Sequence, residues 1–194
     1  MVEAARGGRG ARDRVAAAAA DLFYRHGIHA TGVEALTSAA SVSKRTFYQH
    51  FPSKDELVRS YLRALDEGGG TALERQLDRT EIPPRERLLA IFDARPADRF
   101  RGCPFHNAAV ESAGVVEGVD EIVRDHKLRF AQRLSDVAAE AGAADPRRLG
   151  SQLLVLFEGA TALATSLNDT APLVHARAAA ACLVDAAGAR DDAE

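Results

Sequence analysis

The chain repeats its apolar positions with helical spacing and rarely with the two-residue period of a strand. Val15, Ala18, Ala19, Leu22 and Phe23 share one face of a helix expected over residues 11–26, and Gly27 supplies its stop. Val33, Leu36 and Ala40 follow at i, i+3 and i+7, which predicts a second helix over 33–40. Thr31 and Glu34 have the spacing of a capping box at its start. Ser41-Val42-Ser43 is a tight turn, and Ser43 is placed to cap a third helix over 44–50. Phe47 and Phe51 lie four apart, so both can enter one core. Ser53, with Glu56 three residues on, starts a fourth helix whose stripe is Leu57, Val58, Tyr61, Leu62 and Leu65.

Gly68-Gly69-Gly70 then interrupts the pattern. Each glycine costs a helix about 1 kcal/mol against alanine, so a break or kink is expected rather than a straight rod. Leu73 and Leu77 resume the spacing, and Pro83-Pro84 opens a short helix with Leu88, Leu89, Ile91 and Phe92, ending before Pro96. A short helix is expected from Cys103 to Ser112, and a long one from Val119 to Ala141, stopped by Gly142. Asp145-Pro146 is an N-cap followed by proline at the first helical position, which starts a helix to about Leu167. Pro172 starts the last helix, and Asp191 to Glu194 form an acidic tail. The fold class expected is all-α.

Composition narrows the function. The 194 residues carry a net charge of −3, which argues weakly against nucleic acid. The charge is unevenly spread: residues 1–60 hold nine Lys/Arg and six Asp/Glu, a net of +3, and residues 61–194 hold sixteen and twenty-two, a net of −6. A basic end on an acidic body is expected where one end meets phosphate. No apolar run is long enough to span a membrane. Residues 1–10 have cations without an apolar core behind them, so they read as a disordered basic arm, not a secretory signal. Cys103 and Cys182 are far apart and suggest neither a disulfide framework nor a zinc site, which fits a reducing cytoplasm.

The third helix concentrates the candidate chemistry. With Phe47 and Phe51 inward, Lys44, Arg45, Thr46, Tyr48 and His50 are left on its other faces. Cations and hydrogen-bonding groups near a helix N-terminus, backed by an apolar side, are what a helix in a DNA groove requires. A solvated face on a helical pair inside another bundle is the structural alternative.

Three stretches carry a family resemblance: AADLFYRHGIHATGVEAL, SAASVSKRTFYQHF and PSKDEL, within Arg14 to Leu57. Together they resemble the DNA-binding domain of the TetR family of bacterial transcriptional regulators. They cover about a quarter of the chain. RGCPFHNAAVE, at Arg101 to Glu111, looks like a segment common in one subgroup of that family. The resemblance implies a DNA-binding domain over residues 1–55 and a helical ligand-binding and dimerisation domain over 56–194. It implies that Thr46 and Tyr48 touch DNA, that Lys54 meets a phosphate at the start of the fourth helix, and that Ser43 shares that role. Lys44, Arg45 and His50 complete the expected DNA face.

The resemblance also implies a cavity for a small organic effector in the second domain. Candidate lining residues are Phe92, Phe105, His106, Asn107, Val110, Phe130, Phe157, Glu158 and Thr161. Apolar walls with a few polar groups suit such a ligand, although Phe92, Phe130 and Phe157 also suit a plain core. Small residues on the last two helices (Gly159, Ala160, Ala162 and Ala164; Ala176, Ala179, Ala180, Ala181 and Ala186) permit close helix packing, and two copies of the pair would make a four-helix bundle at a two-fold axis. No metal-ligand spacing, nucleophile–base order or nucleotide-binding glycine loop is present, so no cofactor and no enzymatic activity are expected. Cys103, with Arg99 and Arg101 close in sequence, fits either a redox sensor or a buried structural thiol. The expected function is a ligand-responsive transcriptional regulator, a repressor that releases its operator when an effector binds. The competing classes are a helical small-molecule binding protein or enzyme with a structural helix-turn-helix, and a nonspecific architectural DNA binder, which the acidic body opposes.

Overall fold

The structure is a computed structural model that describes residues 4–93, 100–112 and 114–188, with side chains from residue 10 onward. Its elements are α1 (Ala4–His26), α2 (Val33–Ala39), α3 (Lys44–His50), α4 (Lys54–Glu67), a 3-10 turn (Glu74–Asp78), α5 (Pro84–Ala90), α6 (Pro104–Ser112), α7 (Val119–Glu140), α8 (Pro146–Leu167) and α9 (Ala171–Gly188). No strand occurs among the described residues. The all-α expectation therefore holds.

Helix α1 begins at Ala4, so residues 4–10, expected as part of a disordered arm, are helical; residues 1–3 lie outside the described residues. The acidic tail and Pro96 and Arg99 also lie outside them. Alanine and arginine are good helix formers, and their run continues α1 backward through the two glycines at 7 and 8.

The chain forms two compact units, one of residues 1–68 and 104–123, the other of residues 69–103 and 124–194. The division expected after residue 55 is not where they part. Residue 55 lies in the first turn of α4, and α4 stays whole because Leu57, Val58, Tyr61 and Leu62 bury its face within the first unit. Tyr61 sets its ring edge on Phe23 of α1, centroids 5.6 Å apart. Helix α6 also belongs to the first unit.

The caps follow the sequence in most places. Ser43 Oγ accepts the Thr46 N–H at 3.0 Å, Ser53 Oγ accepts that of Glu56 at 3.1 Å, and Asp145 Oδ1 accepts that of Arg148 at 3.0 Å. The start of α2 is a correction. Its N-cap is Gly32, without a side-chain cap, whereas buried Thr31 donates its hydroxyl back to the Gly27 carbonyl at 2.7 Å. Thr31 thus serves the end of α1, and Glu34 turns to another partner.

The three glycines break the helix. Helix α4 ends at Glu67, Gly68 caps it, and Gly69 (φ +82°) and Gly70 (φ +84°) take the left-handed conformation that a side chain disfavours. Immediately afterwards Thr71 and Glu74 form a reciprocal box: Thr71 N–H donates to Glu74 Oε2 at 2.9 Å, and Glu74 N–H donates to Thr71 Oγ1 at 3.2 Å. Glu74 is fully buried beside His126 Nε2. Arg133 of α7 donates to the carbonyls of Gly69 and Glu74 and to Asp78, which pins the whole turn within the second unit.

The core of the second unit joins Leu88, Leu89 and Phe92 to Phe130, Leu134 and Val137 of α7, Leu149, Leu153 and Phe157 of α8, and Leu173, Ala180 and Val184 of α9. Helix α8 packs on α9 more extensively than any other pair of elements. Gly150 permits close approach of α7, since a Cβ there would lie 2.4 Å from Ser135 Oγ.

Candidate nucleic-acid interface

The candidate interface is built from the turn between α2 and α3. Ser41 bends the chain at φ +51°, and Ser43 is extended and caps α3. Phe47 and Phe51 are buried with their centroids 6.1 Å apart, and each stabilises the unit by about 1.5–3 kcal/mol. Arg12 of α1 lies over the Phe51 ring at 5.2 Å, and Arg14 donates to the Ala40 carbonyl at 3.0 Å at the end of α2. Both arginines lie a helix away from the turn, and no local spacing in the sequence links them to it.

Anchored in this way, α3 turns its polar side out. Lys44, Arg45 and Tyr48 are exposed, and Thr46 and His50 are half-buried. Tyr48 is 51 % exposed, with its ring edge-on to Phe47 at 5.2 Å, so the phenol is held at one end and free at the other. Thr46 Oγ1 bonds Ser43 Oγ at 2.9 Å, which orients both hydroxyls at the start of the helix. Lys44 is already engaged: its ammonium meets Glu34 of α2 at 2.6 Å. That hydrogen bond and charge hold Lys44 above the ordinary lysine value and Glu34 below the ordinary carboxylate value. The pair is exposed and therefore easily exchanged for a phosphate.

Lys54 stands apart from α3, at the first turn of α4. It is half-buried, and its ammonium reaches the His29 carbonyl at 3.5 Å. Desolvation pulls its pKa below the ordinary lysine value, against the opposing charges of Asp55 and Glu111. A cation at a helix N-terminus that lacks full hydration gains more from an anion than a fully solvated one.

The nine candidate ligand residues fall in both units. Phe105, His106, Asn107 and Val110 are on α6 in the first unit, where Phe105 is buried, Asn107 half-buried, and His106 and Val110 exposed. Phe92, Phe130, Phe157, Glu158 and Thr161 are in the second. The three rings stack edge-on, with Phe157 5.3 Å from Phe130 and 6.1 Å from Phe92, and are buried in the core. Glu158 binds Lys127 Nζ at 2.5 Å, and the same ammonium reaches Cys103 Sγ at 3.2 Å. Desolvation pulls Lys127 down, but Cys103 and Glu158 together outweigh it and hold it above the ordinary lysine value. The sequence reading missed Lys127, which lies 24 residues from one partner and 31 from the other.

On α8 and α9 the small residues divide. Ala160, Ala164, Ala176 and Ala180 are buried within the chain, while Gly159, Ala179 and Ala186 are exposed. Beside the exposed set stand Val155, Leu163, Leu167 and Val174, each more than half exposed. Most of these line an apolar groove of about 420 Å³ between the two helices.

Residues 15–61 match the family described as bacterial regulatory proteins of the tetR family, and residues 89–179 match the C-terminal domain of LmrA/YxaF-like transcriptional regulators. A solved putative TetR transcriptional regulator from Streptomyces avermitilis is 32% identical, with a TM-score of 0.76 over 93% of this chain and 99% of that one. The HTH-type transcriptional regulator TcmR of Streptomyces glaucescens is 39% identical over 68% of this chain and 52% of that protein. The HTH-type transcriptional activator FasR of Mycolicibacterium smegmatis is 38% identical over 43% of this chain and 37% of that protein. The chain spans about half the length of TcmR and less of FasR.

Proposed function

The chain belongs to the TetR family of bacterial regulatory proteins, and on that premise we propose that it is a dimeric, DNA-binding transcriptional regulator that a small organic effector releases from its operator. The observation that carries this reading is α3: a short helix with its aromatic side buried and Lys44, Arg45 and Tyr48 exposed beside a capped N-terminus. In the groove, Lys44 and Arg45 neutralise phosphates or reach guanine edges, and Tyr48 and Thr46 bond phosphate or base. Ser43, His50 and Lys54 extend the contact to the backbone. Lys54 gains most from a phosphate because it is held partly out of water.

The dimer forms through α8 and α9. The exposed Val155, Leu163, Leu167 and Val174 give these helices a second apolar side, which a symmetry-related copy would cover. Two α3 helices then sit about 34 Å apart, one in each of two successive major grooves. The effector binds in the second unit, where Phe92, Phe130 and Phe157 supply apolar walls and Glu158 and Thr161 polar groups. It shifts DNA affinity only by preferring the conformation with the other spacing. We assign repression, acting in the cytoplasm, because a dimer across two grooves occludes the duplex without needing any further surface. The test is selection of genomic fragments with the purified protein, followed by specific and nonspecific affinities against salt. A specific site bound at least about 10³-fold more tightly than bulk duplex supports the reading. Equal affinity for all duplexes makes the protein an architectural binder, and no binding makes the helix-turn-helix purely structural.

A further inference from the structure

Helix α6 enters the first unit from the second and α7 returns to it, so this segment is tied to both by the chain itself. Its last turn carries Glu111. That carboxylate accepts the backbone N–H of His29, in the turn between α1 and α2, at 2.9 Å across 82 residues of sequence. It also packs on Gly27, the left-handed residue (φ +92°) that ends α1, where a Cβ would lie 2.9 Å from both carboxylate oxygens. On the other side of the same residue, in the next peptide group, the His29 carbonyl accepts the Lys54 ammonium, and Lys54 feels the Glu111 charge. One turn residue is thus held by α6 through its N–H and holds the lysine of α4 through its carbonyl.

We propose that Glu111 is a positioning residue that couples α6 to the DNA-binding helices through the α1–α2 turn: it clamps His29, and His29 sets where the Lys54 ammonium stands. The coupling deepens the DNA-binding reading and rests on it. It reaches the DNA face without passing along α4, which matters because α4 stops at Glu67 before three glycines. A displacement of α6 must either carry the turn with it or break the bond to His29, and both move or loosen Lys54.

Glu111→Gln and Glu111→Ala separate the clamp from the charge. Both remove the negative charge near Lys54, but only glutamine keeps an oxygen that can accept from His29. Two readouts apply to the full-length protein: amide exchange at His29, with the amides of α8 as an internal control, and affinity for a labelled duplex of random sequence. The expected result is His29 exchange at least about tenfold faster in Glu111→Ala, with α8 unchanged and most of the protection kept in Glu111→Gln. The alanine variant should bind duplex at least about threefold more weakly than the glutamine variant, and that difference should vanish when Lys54 is also replaced by alanine. Unchanged His29 exchange in Glu111→Ala overturns the clamp. Equal duplex affinity of the two variants, or a difference that survives loss of Lys54, overturns the coupling. If the wild-type protein binds no duplex, the DNA-binding reading falls and the coupling with it, whereas His29 exchange still reports the clamp by itself.

Discussion

Tyr48 is held by its ring edge against Phe47 and shows the rest of its side chain to solvent, so it can be truncated without opening the core. Tyr48→Ala should leave the melting temperature nearly unchanged and weaken specific DNA binding by about 1–3 kcal/mol, read by anisotropy titration. An unchanged dissociation constant would displace Tyr48 from the interface. Lys54 makes a prediction in pH. Desolvation holds its free-state pKa below the ordinary lysine value, and a phosphate would raise it, so binding takes up a proton between the two values. Affinity should therefore fall as pH rises through the lowered value, read by anisotropy titration on the alkaline side of neutrality. Lys54→Arg stays charged throughout and should flatten that decline. At this scale the sequence was readable wherever one residue acts on its own turn, as Ser43, Ser53 and Asp145 do at their caps. It misled at Thr31, whose spacing to Glu34 fits a box. The hydroxyl found the carbonyl of Gly27 instead, and Glu34 found Lys44 across the turn. Pairs such as Glu111 with His29, or Lys127 with Cys103 and Glu158, join distant segments and leave no local spacing to find.

Among the elements, α4 and its glycine stop separate two ideas of the connector. A straight rod would tolerate alanine anywhere in Gly68-Gly69-Gly70. The structure makes the three unequal. Gly68 has φ −78°, whereas Gly70 has φ +84° and would place a Cβ 1.7 Å from Glu74 Oε2. Gly70→Ala should thus displace a fully buried carboxylate and destabilise the protein by about 1–3 kcal/mol or more in denaturant unfolding, while Gly68→Ala costs much less. Gly69→Ala cannot straighten the helix cheaply either, because φ is +82° there. Equal stability of the Gly68 and Gly70 variants would contradict this. Helix positions were legible because most elements bury one stripe, and α3, α4 and α8 are also capped by the residue just before them. The assignment of α4 and α6 to the first unit was not, since it depends on which stripe meets which, and periodicity is silent on partners.

At the scale of the molecule, the basic first sixty residues and the acidic remainder do not coincide with the two units, because residues 104–123 bring Glu111, Glu117, Asp120 and Glu121, and no Lys or Arg, into the first. Assembly is testable here without deleting α8, whose Leu149, Leu153 and Phe157 belong to the core. Leu163 is 51 % exposed, so Leu163→Glu leaves that core alone. It should turn a dimer into a folded monomer at micromolar concentration by sedimentation, and a wild-type protein already monomeric there would remove the α8–α9 interface. Whether a symmetric pair of α3 helices reads DNA is decided by selection of bound sites from a pool of random duplexes. The expected result is an enriched, near-palindromic sequence whose half-sites are centred about 10 base pairs, one helical turn, apart, lost when Tyr48→Ala replaces the wild-type protein. Enrichment of a single unpaired half-site, or of no sequence at all, would contradict it.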